Sequence, residues 1–140
     1  MAGYSGTPLA KKLGIKEKHR LALIKAPDGF ELELDPMPEN VEVSRRAAKA
    51  LDIIVVFVKS AAELTEGFAK LASRIVPNGM IWVAWPKKAS GLQTDLSENL
   101  VREIGLEAGL VDTKVCAVND VWSGLKFVYR LKDRPRLVRL

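Results

Sequence analysis

The chain has 140 residues, 48% of them apolar, and a formal net charge of +5; that suffices for one domain with a proper core and falls short of two. No apolar run approaches the roughly 20 residues that span a bilayer, and the first residues lack the basic and apolar segments of a signal peptide, so a cytoplasmic protein without membrane attachment is expected. A single cysteine, Cys116, and a single histidine, His19, exclude an internal disulfide and a Cys/His zinc site.

Residues 10–20 and 130–140 each carry +4, which leaves −3 on the body between them. A nucleic-acid reader shows a basic stripe across a folded face with aromatics interleaved, and neither terminal cluster contains Phe, Tyr or Trp. Nucleic acid is therefore disfavoured as a partner.

In chain order, residues 3–6 are a flexible lead-in, Thr7 is placed as a helix N-cap and Pro8 at the first helical position. The short helix runs through Leu13, and Gly14 ends it. Residues 20–25 are the first strand, and Ala26-Pro27-Asp28-Gly29 turns the chain out of it. Phe30, Leu32 and Leu34 alternate as in a strand, while Glu31 and Glu33 suit a short helix equally well. Residues 35–40 are a loop, residues 41–43 a brief edge strand, and Ser44 a cap for a helical turn over 45–49.

The clearest signal follows. Residues 52–58 are apolar and β-branched without alternation, as in a strand covered on both faces. Ser60 and Glu63 form a capping box, after which Leu64, Phe68, Leu71, Ala72 and Ile75 line one helical face until Pro77-Asn78-Gly79 stops it. Residues 80–85 are a second buried strand. Together these segments are a β-α-β unit of a parallel sheet. Beyond a loop at 89–93, Thr94 or Asp95 caps a helix carrying Leu96, Leu100, Ile104 and Leu106, closed by Gly109. Residues 111–118 and 125–131 are strands joined by a hairpin connection at 119–124, with positive φ expected at its Asn and Gly.

The expected fold is a single Rossmann-like α/β domain over residues 1–131, with helices on both faces of a mostly parallel sheet, an antiparallel C-terminal hairpin strand, and a basic tail at 132–140. The order strand, helix, Pro77-Asn78-Gly79, strand, helix, Gly109-Leu110-Val111, hairpin is similar to the second half of class I S-adenosylmethionine-dependent methyltransferases. The start Gly3-Tyr4-Ser5-Gly6-Thr7-Pro8-Leu9, the Trp85-Pro86-Lys87-Lys88 segment and residues 120–126 also resemble a family of small bacterial proteins of unknown function, which implies a bacterial source and no particular activity. The methyltransferase resemblance implies a glycine-rich loop after the first strand and an acidic residue at the end of the next. Here the loop has one glycine, Gly29, and the nearest acid is Glu42, so S-adenosylmethionine is not expected to bind and no cofactor is predicted.

Ligands of open parallel sheets sit beyond the carboxyl ends of the strands. Lys25, Lys59, Lys87 and Lys88 would gather ammonium groups on that rim, the helix starts at Ser60 and near Thr94 add N–H donors, and Trp85 and Trp122, with Ser123 beside them, offer a stacking surface. Such a rim suits an anionic small molecule or nucleotide. The bland alternative is that lysines end strands where the chain leaves the core. Asp28 and Asp120 could form an acid/base pair, although acids beside turn glycines are mostly turn formers. Cys116 falls in an apolar strand, Trp82 in the core, and His19 at the opposite, amino edge, so no nucleophile and base are brought together and no catalytic residue is assigned. The leading expectation is a non-catalytic module that works through a protein partner or homodimer, with the anion binder as its alternative.

Overall fold

In the computed structural model, which describes residues 6–134, the chain runs α1 (Leu9–Leu13), β1 (Arg20–Ile24), α2 (Phe30–Glu33), β2 (Glu42–Ser44), β3 (Leu51–Phe57), α3 (Ala61–Ala72), β4 (Ile75–Pro86), α4 (Glu98–Glu107), β5 (Leu110–Ala117) and β6 (Trp122–Tyr129). Most of the lead-in, with Tyr4, and the end of the basic tail, with Arg136 and Arg139, lie outside the described residues.

The six strands form one sheet in the order β2-β1-β3-β4-β6-β5. β2, β1, β3 and β4 are mutually parallel, and β6 inserts antiparallel between β4 and β5. This is the expected α/β sheet with a hairpin strand at its end. β3 lacks alternation because both its faces are covered. Ile54 and Val56 join Leu64, Phe68, Ile81 and Phe127 in one core beneath α3 and α4. Ile53, Val55 and Phe57 join Leu13, Leu23, Phe30 and Trp82 in the other, beneath α1 and α2. Each such side chain contributes roughly 1.5–3 kcal/mol on burial. Trp82 is core as expected, and its indole N–H donates to the Leu13 carbonyl at 2.8 Å, which fastens α1 to the sheet. Among the described residues no helix is long and apolar enough to cross a membrane.

Several local expectations need correction. The helix start shifts by one residue: Pro8, in an extended conformation, is the N-cap of α1. The ambiguous stretch resolves as helix, because Phe30 must turn inward to the core while Glu31 and Leu32 face solvent. No helical turn covers 45–49; the Ser44 hydroxyl accepts from the Arg46 N–H at 3.0 Å and makes a side-chain turn instead. Pro77-Asn78-Gly79 does not stop α3, which ends at Ala72. It lies inside β4, in a bulge where the step from Leu51 to Ile53 is matched by the step from Ile75 to Met80. Gly79 fits there without crowding, whereas a Cβ would lie 3.0 Å from the Asp52 and Val76 carbonyl oxygens.

The cap of α4 is Ser97, whose hydroxyl accepts from the Leu100 N–H at 3.2 Å. That register turns Val101 and Gly105 to the core and leaves Leu106 exposed. The hairpin connection is shorter than expected, because Trp122 to Gly124 already belong to β6. Neither Asn119 nor Gly124 has positive φ. The Asn119 side chain closes the turn by accepting from the N–H groups of Val121 and Trp122, both at 2.9 Å.

Candidate functional site

The carboxyl ends of β1 and β3 and the start of β6 converge on a cavity of about 480 Å³. Lys25 and Pro27 follow β1, Phe57 and Lys59 end β3, Trp122 opens β6, and Leu92 leans in from the loop before α4. Lys25 adopts a left-handed φ of 58°, a conformation that a non-glycine residue rarely takes, and this turns the chain sharply at the cavity mouth.

An ion pair forms one wall of the cavity. Lys25 Nζ donates to Glu63 Oε2 at 2.6 Å, and the Lys59 backbone N–H donates to Glu63 Oε1 at 3.0 Å. Burial pushes the Glu63 carboxyl up, but the Lys25 hydrogen bond, the Lys59 N–H and the two ammonium charges together hold it below its ordinary value. Ser60 caps α3 by accepting from the Glu63 N–H at 3.1 Å, as the spacing predicts. The reciprocal half of the box is displaced, because the Glu63 carboxylate reaches Lys59 and Lys25 instead.

A second donor at this helix start is also taken. Asp95, expected to cap α4, accepts from the Ala61 N–H at 2.8 Å and caps α3 from outside. Thr94 donates to the Lys59 carbonyl at 2.6 Å and holds the Asp95 loop in place. A helix N-terminus that could attract an anion is thus occupied by a carboxylate of the same chain.

Aromatic side chains fill the floor. Phe57 packs edge-on against Phe30 at 4.9 Å and against Trp122 at 5.0 Å, and all three are buried. Trp122 does reach the cavity, but its ring is committed to this cluster. Trp85 lies elsewhere, in the core beneath α3 and α4. Ser123 pairs with Trp85 across β4 and β6. The Lys87 N–H donates to the Val121 carbonyl at 2.8 Å, and Lys88 borders a shallower depression of about 550 Å³ shared with Lys59, Ser60 and Gln93. Asp28 and Asp120 are exposed in their turns and line neither space.

The expected rim is therefore only partly assembled: Lys25, Lys59 and Trp122 meet, Lys59, Ser60 and Lys88 share the shallow depression, and the other residues stand apart. Sequence reasoning missed Glu63 and Asp95 as parts of this site, and Phe57 as its floor. Glu42, the acid nearest the position that would hold ribose hydroxyls, begins β2 at the amino edge and pairs with Arg20 at 3.5 Å. His19 is also at that edge, where its Nδ1 accepts from the Lys16 N–H at 3.1 Å. Cys116 is half-buried on edge strand β5, and burial raises its thiol pKa despite nearby Lys12, Lys114 and Lys87.

Strand order and helix placement define a methyltransferase-like fold, and solved structures agree. A SAM-dependent methyltransferase from Aquifex aeolicus superposes with a TM-score of 0.59 at 17% identity, covering 85% of this chain and 86% of that one. Magnesium protoporphyrin IX methyltransferase from Synechocystis PCC 6803, solved with bound SAH, gives 0.56 at 10% identity over 87% and 78% of the two chains. The fibrillarin pre-rRNA processing protein of Methanococcus jannaschii gives 0.57 at 12% identity over 86% and 73%. At these identities the likeness is one of fold. No curated protein matches the sequence significantly. The family described as protein of unknown function (DUF3052) matches residues 38–131, and the chain belongs to it.

Proposed function

We propose that this protein is a non-catalytic module on a methyltransferase-like fold, which works by associating with a partner protein or a second copy of itself. One observation carries this reading: the polar and aromatic groups that line the crevice are largely committed to one another. The Lys25–Glu63 pair lines its wall, Asp95 and Ser60 accept from the Ala61 and Glu63 N–H groups at the start of α3, and Phe30, Phe57 and Trp122 pack its floor. A cofactor would have to displace interactions that the fold already makes, and the loop after β1 brings Pro27 where close backbone approach is needed.

The surface that supports association is edge strand β5. It is eight residues long, its outer N–H and C=O groups face no other strand, and Val115 at its centre is 49% exposed. An edge of this kind accepts an added strand. Light scattering and affinity capture from the native lysate test the reading with Val115→Pro as control. Association of the wild type that the proline substitution abolishes is the expected result. A monomeric wild type that captures the same proteins as Val115→Pro contradicts it.

A second reading, an anionic small molecule, is favoured by the cavity of about 480 Å³ left between Lys25 and Lys59. It predicts thermal stabilisation by phosphate-bearing nucleotides that Lys59→Ala abolishes. Equal melting with and without nucleotide sets it aside.

A further inference from the structure

A second cavity lies away from the crevice floor. On the sheet face that carries α3 and α4, those helices cover β4, β6 and β5. β1 and β2 are less covered on this face, and Ile24 and Ala47 stay partly buried there. The result is a groove of about 400 Å³ running beside α3.

Its floor and inner wall are apolar: Ile24, Val56 and Val58 from the strands, Leu64, Phe68 and Leu71 from the helix. Its rim is cationic, with Arg45 and Arg46 on the loop side and Lys70 and Arg74 along α3 and just past its end. Arg45 is paired with Glu31 at 3.2 Å. Among the described residues Arg46, Lys70 and Arg74 enter no ion pair. Arg74 Nε is buried without a hydrogen-bond partner, an arrangement that a folded protein rarely leaves uncompensated. The one carboxylate at the groove, Glu63, is already committed to Lys25 and Lys59.

Gly67 is the independent observation. It sits in the interior of α3 and lines the groove, yet a Cβ placed on it would meet nothing within 4 Å and its φ is ordinary. Neither packing nor backbone conformation within the chain requires glycine there, and glycine weakens a helix interior. What it does is keep the groove open midway.

We propose that this groove binds a free amphipathic anion, an extended alkyl or aryl body with one carboxylate or phosphate head. The body lies over Ile24, Ala47 and Leu71 past Gly67, and the head pairs with Arg46, Lys70 and Arg74. From Glu63 to the end of α3 at Ala72 the groove runs roughly 14 Å at the helical rise, the reach of a medium-length alkyl chain. The groove adjoins the crevice, with Lys25 and Glu63 lining both, and it does not depend on the association of β5 with a partner.

Calorimetric titration with sodium decanoate tests it, with 1-decanol and decyltrimethylammonium as neutral and cationic probes of equal length. Decanoate is expected to bind one to one and about tenfold tighter than decanol, and the cation not at all. Arg46→Ala with Lys70→Ala should bring decanoate down to the decanol level, and Gly67→Leu should abolish binding of both while the melting temperature holds or rises. No decanoate binding, equal affinity for decanoate and decanol, or unchanged affinity in Gly67→Leu overturns the proposal. Pelleting with phosphatidylglycerol vesicles that the same substitutions abolish would assign the head group to a lipid surface and overturn the free-acid reading.

Discussion

Lys25 and Glu63 are 38 residues apart in sequence and 2.6 Å apart in space, and their contact lies at the end of the sheet where parallel α/β folds bind ligands. It joins the left-handed residue after β1 to the first turn of α3. Because Glu63 also accepts from the Lys59 N–H at 3.0 Å, one carboxylate ties together the ends of two adjacent strands and the helix between β3 and β4.

Replacing Glu63 with Gln should cost about 1 kcal/mol at neutral pH, the sum of a partly exposed ion pair and a weakened cap. The folded carboxyl titrates below its ordinary 4.5, so its charge stabilises the fold fully above the unfolded value and loses that effect as pH falls through the depressed folded value. Urea denaturation of wild type and Glu63→Gln should therefore differ at pH 7 and converge in acid. A difference that grows on acidification would contradict the assignment.

Trp122 carries the outer end of the Phe30–Phe57–Trp122 cluster, so Trp122→Ala should cost about 3 kcal/mol by opening a cavity. Denaturant midpoints measure it. A loss near zero would mean that the ring is not packed as described.

The two glycines within α3 and α4 should respond to substitution in opposite directions. A Cβ on Gly105 would lie 2.0 Å from Phe127 Cε1, and that ring packs edge-on against Phe68 at 5.3 Å, so Gly105→Ala should destabilise by about 1–3 kcal/mol. Gly67→Ala meets open space and should stabilise by about 0.4–1 kcal/mol. Thermal melts of the two variants settle the contrast.

Lys126 on β6 stands directly opposite Lys114 on β5, and burial, reinforced by that neighbouring charge, lowers the Lys126 pKa. A lysine whose folded pKa is depressed opposes folding while it is protonated, and the penalty fades as pH rises through the folded value. Lys126→Met should therefore stabilise the protein by about 0.2–1 kcal/mol at pH 7, with the gain shrinking in alkali. Equal denaturation midpoints at neutral pH would count against repulsion across this pair.

Legibility in the sequence followed the range of the forces involved. β3 and α3 were readable because burial on both faces yields an unbroken apolar run, and because Ser60 and Glu63 are three residues apart. Where the Glu63 carboxylate would go was not readable, since its partner Lys25 follows another strand. Asp95 shows the same limit: an acid before a helix signals a cap, and it is one, but for α3 rather than for α4. Local spacing does not say which helix start folds nearby. Ser97 was open to reading as the cap of α4, with Glu98 in the first turn, but Thr94 and Asp95 gave the same signal earlier. Pro77-Asn78-Gly79 has identical turn chemistry whether it ends a helix or bulges a strand, and only the pairing of β4 with β3 decides between them.

The central claim is that the crevice is closed to the cofactor its fold neighbours suggest, and calorimetric titration of the purified protein with S-adenosylmethionine and S-adenosylhomocysteine tests it most directly. The account predicts no binding heat for either compound up to millimolar concentration. Saturable one-to-one binding that Lys25→Ala or Trp122→Ala alters would contradict it and restore the crevice as a working cofactor site.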